Sequence, residues 1–213
     1  MKTDDFIAML ANESEPVDRR APSRRVALAL LFGLAAATVL MAAGLGLRPD
    51  LAEAIHRPMF WARLGYASSI AAAALWLTLR LSRPGLRIGA RWAGLAAPVT
   101  AGWVAMAIVL GQVSADARLP LLLGHTWRVC PVLIALLSAP CFAAMLWAVR
   151  GMAPVRPRLT GAAVGLLAGA TATMAYCLHC PEMSPAFWSF WYLLGMAIPT
   201  VVGALIGPRV FRW

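Results

Sequence analysis

The sequence predicts an all-α, polytopic membrane protein built as a six-transmembrane-helix bundle. Two observations carry that expectation. Hydrophobic residues make up 61% of the 213 and charged residues 13%, against about 25% charged in soluble domains. The apolar residues also fall in runs of about 20, the length at which a helix crosses the hydrocarbon of a bilayer. Short loops carrying arginine, proline and glycine separate those runs.

Taken in order, residues 1–25 form a polar tail, with Asp4, Asp5, Glu13, Glu15 and Asp18 ahead of Arg19, Arg20, Arg24 and Arg25. The tail is too long and too mixed in charge for the start of a signal peptide, so the first span is read as retained. Spans are expected at residues 26–47, 61–81, 92–113, 131–149, 159–176 and 187–206. Residues 26–207 then make the membrane domain, and 208–213 a short carboxyl-terminal tail.

The net charge of +10 does not point to nucleic acid. A DNA-binding protein gathers its basic residues on one folded face, whereas here they alternate between loops, as membrane topology requires. Of the 19 Lys and Arg residues, only Arg48, Arg57, Arg63, Arg118 and Arg128 fall on the side away from the amino terminus. Cytoplasmic loops carry the excess of positive charge, so both termini are expected in the cytoplasm of a bacterial inner membrane. The first, third and fifth loops then face outward.

The spans themselves hold little chemistry. No Asp or Glu lies well inside an apolar run, which removes the carboxylate relay expected of many transporters. Gly161, Gly165 and Gly169 recur at four-residue spacing and suit close helix packing. Pro98, Pro140 and Pro199 are expected to kink their helices, and Trp61, Trp92, Trp127, Trp188 and Trp191 to anchor span ends at the interface.

The chemistry gathers at two Cys-Pro junctions. A residue before proline is pushed out of the α region, so Cys180 is expected to close a helix. Proline suits the first helical position, so Pro131 is expected to open one, with Cys130 as its cap. Both thiols share a depth at the outward boundary, where an oxidising compartment lets disulfides persist. A helix amino terminus and nearby Arg128 favour the Cys130 thiolate, whereas a helix carboxyl terminus disfavours negative charge at Cys180. Cys130 is thus the expected nucleophile and metal ligand of the pair. Cys141, about 16 Å deeper, reads as a small apolar side chain. Cys177 stands three residues from Cys180, on the same helical face. With His179, and with His125 and Glu182 close by, the set Cys130, Cys177, Cys180 and His179 is an alternative metal site; one C-x-x-C without a second is a weak signal.

The chain resembles the NrsF-type membrane anti-sigma factors of proteobacteria. The resemblance rests on residues 124–130 (GHTWRVC), 153–161 (APVRPRLTG) and 179–183 (HCPEM), with Phe187, Trp191 and Tyr192, and on the opening MKTDDFIAML. It implies a protein that holds an extracytoplasmic-function sigma factor inactive at the inner membrane, with no cofactor and no catalytic residue. It also implies that Cys130 and Cys180 sense oxidative or heavy-metal stress; Cys141 and Cys177 depart from the family pattern. The amino-terminal tail offers a handle for the sigma factor. Thr3 caps a short helix with Asp4 and Asp5 in its first turn, and Phe6, Met9 and Leu10 share one face. So short a helix forms only in a partner's groove; the alternatives are a disordered tail or an interfacial anchor. Rival functions are a membrane thiol-disulfide oxidoreductase coupled to quinone, which needs a second reactive cysteine pair, and a small transporter.

Overall fold

The computed structural model describes Thr3, residues 21–83 and residues 93–212. Phe6, Met9, Leu10 and Trp92 lie outside the described residues. Within them the chain forms eight helices and no strand. They are α1 (Ala21–Gly44), α2 (Leu51–Ala54), α3 (Pro58–Leu81), α4 (Ala93–Gln112), α5 (Ala115–Leu123), α6 (Cys130–Arg150), α7 (Pro157–Tyr176) and α8 (Pro185–Val210). Six of these, α1, α3, α4, α6, α7 and α8, are long and apolar enough to cross a membrane.

Proline sets the start of four of the six long helices. Pro58, Pro131, Pro157 and Pro185 each stand in the first turn of a span, where a missing N–H costs nothing and φ is already helical. At α8 the Ser184 hydroxyl adds a cap, accepting from the Ala186 N–H at 3.2 Å. Arg80, Arg150 and Arg209 occupy the last turns of α3, α6 and α8, complementing the negative end of each helix dipole. Pro98, Pro140 and Pro199 lie inside helices that continue through them.

The bundle is arranged around α7. In its apolar window 78% of residues are buried, against 6% for α4, which leans on the edge against α3 and α8. Helix α7 packs on α1, α3, α6 and α8, and its small residues make that crowding feasible. A Cβ at Gly161 would run into the Gly203 carbonyl, one at Gly165 into the Pro199 carbonyl, and one at Gly207 into the Pro157 carbonyl. The expected glycine row is therefore one side of a seam at which the α7 and α8 backbones touch. Large apolar side chains on the outer surface, among them Leu31, Phe32, Leu136, Trp147, Val201 and Leu205, are exposed, as lipid-facing positions are.

Three local expectations are corrected. Helix α7 ends at Tyr176 with Cys177 as its C-cap, so Cys180 lies beyond the helix and shares no helical face with Cys177. Val129, not Cys130, is the N-cap of α6, and Cys130 is its first helical residue. Trp188 is not an interfacial anchor: it is 4% exposed, with its ring 5.0 Å from that of Tyr66. The period-3.6 surface of α8, not the end of the apolar run, decides which tryptophan faces out.

Candidate functional site

The loop from Cys177 to Ser184 joins α7 to α8, and it is held from three directions. Arg63, in the second turn of α3, has no solvent exposure. Its guanidinium donates to the carbonyls of Cys177 (2.7 Å), Cys180 (2.8 Å) and Glu182 (2.8 Å). Arg48, in the turn after α1, donates to the Cys180 carbonyl at 3.1 Å and pairs with Asp50 at 2.6 Å. The Arg48 N–H also donates to the Leu178 carbonyl, and the His179 ring meets the Gly46 carbonyl at 2.9 Å. From the other flank, the His125 N–H donates to the Glu182 carboxylate at 2.7 Å.

Gly124 allows that last contact. Its φ of +56° suits glycine, and a Cβ there would press on Phe187 and Glu182. Residues on either side of Gly124 are latched to the start of α8. The Trp191 indole donates to the Leu122 carbonyl at 2.8 Å, and the Trp127 and Trp191 rings lie 5.4 Å apart. Residues 124–130 and 179–183, far apart in the chain, thus meet in space.

Beneath the loop, Cys130, Cys177 and Cys180 belong to one buried cluster with Tyr176, Phe187, Trp188 and Tyr192. Cys141 belongs to a second cluster towards the arginine-rich end, with Met145, Val164 and Leu167, and a Cβ on Gly33 of α1 would strike it. All four cysteines are free thiols and fully buried. Tyr176 lies beside Cys130 and Cys180. The Tyr192 hydroxyl lies beside Cys177 and Cys180 without a well-formed hydrogen bond.

Burial governs the charge of the loop thiols. It pushes Cys177 up to about 12, against the pull of the Arg63 cation. It also raises Cys180, opposed by a hydrogen bond from the backbone at Glu182. The Arg48 guanidinium, by hydrogen bond, holds the Asp50 carboxyl down to about 2. Arg128, expected to activate Cys130, is exposed and stacks 5.1 Å above Trp127, while Cys130 is enclosed. Among the described residues no three His, Cys, Asp or Glu side chains converge as a metal-ligand set.

Sequence reasoning did not assign Arg48, Arg63 or Tyr192 a role. Arg63 carried a signal: a cation inside an apolar span marks a functional position by default. Arg48 and Tyr192 become legible only once the loop is folded over them.

The family model described as "NrsF: Negative regulator of sigma F" matches residues 10–213. A protein of Azospira oryzae named "Probable anti-sigma-F factor NrsF" is 48% identical over the full length of both chains. One of Caulobacter vibrioides, named "Anti-sigma-F factor NrsF", is 39% identical, again with both chains fully covered. No solved structure gives a significant match.

Proposed function

Because the chain belongs to the family of negative regulators of sigma F, we propose that it is an inner-membrane anti-sigma factor. It holds an extracytoplasmic-function sigma factor inactive and releases it under oxidative or heavy-metal stress. The six spans cross the bacterial inner membrane with both termini in the cytoplasm, following the arginine bias. The thiol loop then faces the periplasm, where disulfides persist.

One observation carries the sensing role: thiols from two separate chain segments share a buried cluster under a loop clamped by Arg48 and Arg63. Cys130 and Cys180 are the sensing pair, with Cys177 as a neighbour able to join either. An oxidant removes two electrons and two protons from a thiol pair and leaves a disulfide, which needs Cα atoms within about 7 Å. A thiol-seeking metal instead displaces the protons. Either event pulls the loop carbonyls away from their guanidinium donors and favours a different packing of α6 against α7 at their outer ends. A ligand that distinguishes two packings shifts the balance between them, and the cytoplasmic face changes with it.

The sigma factor is held by the amino-terminal tail through Phe6, Met9 and Leu10, seated as a short helix in a groove of the partner. The family match begins at residue 10, whereas both relatives align with the whole tail. The protein acts as a regulator, not as an enzyme, and touches no nucleic acid itself. The oxidoreductase alternative needs Cys141 in a second pair, and Cys141 packs in the other cluster.

The test is a sigma-dependent reporter in the host, challenged with an oxidant and with cadmium. Cys130→Ser and Cys180→Ser are each expected to abolish induction, and Cys141→Ser to leave it intact. A normal response from the Cys130→Ser, Cys180→Ser double variant overturns the thiol switch. Capture of the sigma factor by wild-type protein, and its loss when Phe6, Met9 and Leu10 become alanine, checks the tail separately.

A further inference from the structure

We propose that the arginine-rich end of the α7–α8 pair binds the headgroup of an anionic phospholipid. The site is a cavity of about 510 Å³ lined by Arg158, Ala204, Leu205, Pro208, Arg209 and Arg212. Arg158 comes from the first turn of α7 and Arg209 from the last turn of α8. Arg212 follows three residues later. None of the three guanidinium groups has an ion-pair or hydrogen-bond partner among the described residues.

The glycine seam builds this site. The Pro157 carbonyl occupies the space a Cβ on Gly207 would need, so the first turn of α7 and the last turns of α8 are in backbone contact. That contact holds Arg158 beside Arg209 instead of leaving them on separate loops. Helix α7 has no side-chain cap, so its first N–H groups and the positive end of its dipole add to the potential at the cavity.

The wall of the cavity selects the occupant. Three cations, each able to form paired hydrogen bonds to phosphate oxygens, call for an anion. A zwitterionic headgroup would bring an ammonium into the same space. Leu205, 67% exposed, leads from the cavity to exposed Val202, Val201 and Ile198 along α8, a track for an acyl chain. A soluble phosphate has the charge but no use for that track. The site rests on the bilayer placement of the six helices and not on the sigma-factor reading, so the two fail separately.

The test uses the full chain in a neutral detergent, titrated with dioctanoyl-phosphatidylglycerol, dioctanoyl-phosphatidylcholine or inorganic phosphate while thermal unfolding is followed. Phosphatidylglycerol is expected to raise the midpoint saturably, and the other two to leave it unmoved at equal concentration. The Arg158→Gln, Arg209→Gln, Arg212→Gln variant should lose the shift. Each single change should weaken binding by about tenfold, the scale of one charged hydrogen bond. An equal shift with phosphatidylcholine, or with inorganic phosphate, overturns the assignment. Should the triple variant aggregate, three single variants that all bind phosphatidylglycerol like the parent overturn it too.

Discussion

The two ends of the α7–α8 pair use the same residue type in opposite ways. At the thiol end, Arg48 and Arg63 are 6% and 0% exposed, with the Arg63 guanidinium committed to backbone carbonyls and that of Arg48 shared between the Cys180 carbonyl and Asp50. At the other end Arg158, Arg209 and Arg212 are exposed around an open cavity. The helices there are joined by backbone contact at glycine. A seam of touching backbones has one geometry and resists change. A loop held by hydrogen bonds has discrete donors to lose, which is the feature the proposed thiol switch draws on.

Breaking the clamp should have the largest effect. Arg63→Ala leaves the Cys177 and Glu182 carbonyls without their donor, the Cys180 carbonyl with Arg48 alone, and a cavity in their place, a loss of about 3–5 kcal/mol by analogy with breaking a buried polar pair. Thermal unfolding of the detergent-solubilised variant measures it. Arg63→Lys should recover only part, because an ammonium cannot match the planar fork.

The seam should be next. Gly161→Ala and Gly203→Ala put a methyl group into a facing carbonyl and should each cost about 1–3 kcal/mol. Gly65→Ala, in α3 with open space around it, should gain up to about 1 kcal/mol. A neutral Gly161→Ala would mean that the helices are farther apart than the seam requires.

The smallest effect sharpens the contrast through pH. Cys177 is raised to about 12 from an ordinary 9.0, so the folded state favours the neutral thiol. The stability it contributes is complete below about pH 9 and is lost progressively as pH climbs towards 12. The melting midpoint should therefore fall over that window, and Cys177→Ala should flatten the fall. At pH 8 maleimide should label the folded protein slowly at all four buried cysteines and rapidly after denaturation in dodecyl sulfate.

How far the sequence disclosed this molecule follows from the kind of signal each part gives. The span expected at 61–81 differs from α3 only at its start, Pro58, because hydropathy counts apolar residues while the helix begins at a proline outside the run. Helices α2 and α5 went unseen: one is four residues long, and the other carries Asp116, Arg118 and Pro120. Both Cys-Pro junctions were visible as motifs, and they do converge. The clamp was not visible, since Arg48 and Arg63 act on carbonyls more than 100 residues away, and backbone acceptors leave no mark in a sequence. Burial of the thiols was equally hidden, because it depends on how the loop lies over Tyr176 and Tyr192.

The clamp also limits what the loop can offer an arriving ion. The carbonyl oxygens of Cys177, Cys180 and Glu182 already accept from Arg63, and that of Cys180 from Arg48 as well. Calcium and magnesium need a shell of six or more oxygen ligands; here they would have to displace fixed positive charges to reach them. The Cys180 sulfur meets a neutral backbone N–H at Glu182 and no guanidinium hydrogen bond, and thiolates prefer polarisable metals. Under the proposed sensing role, oxygen-seeking cations would meet acceptors already engaged by guanidinium groups, and thiophilic ones would compete only for sulfur.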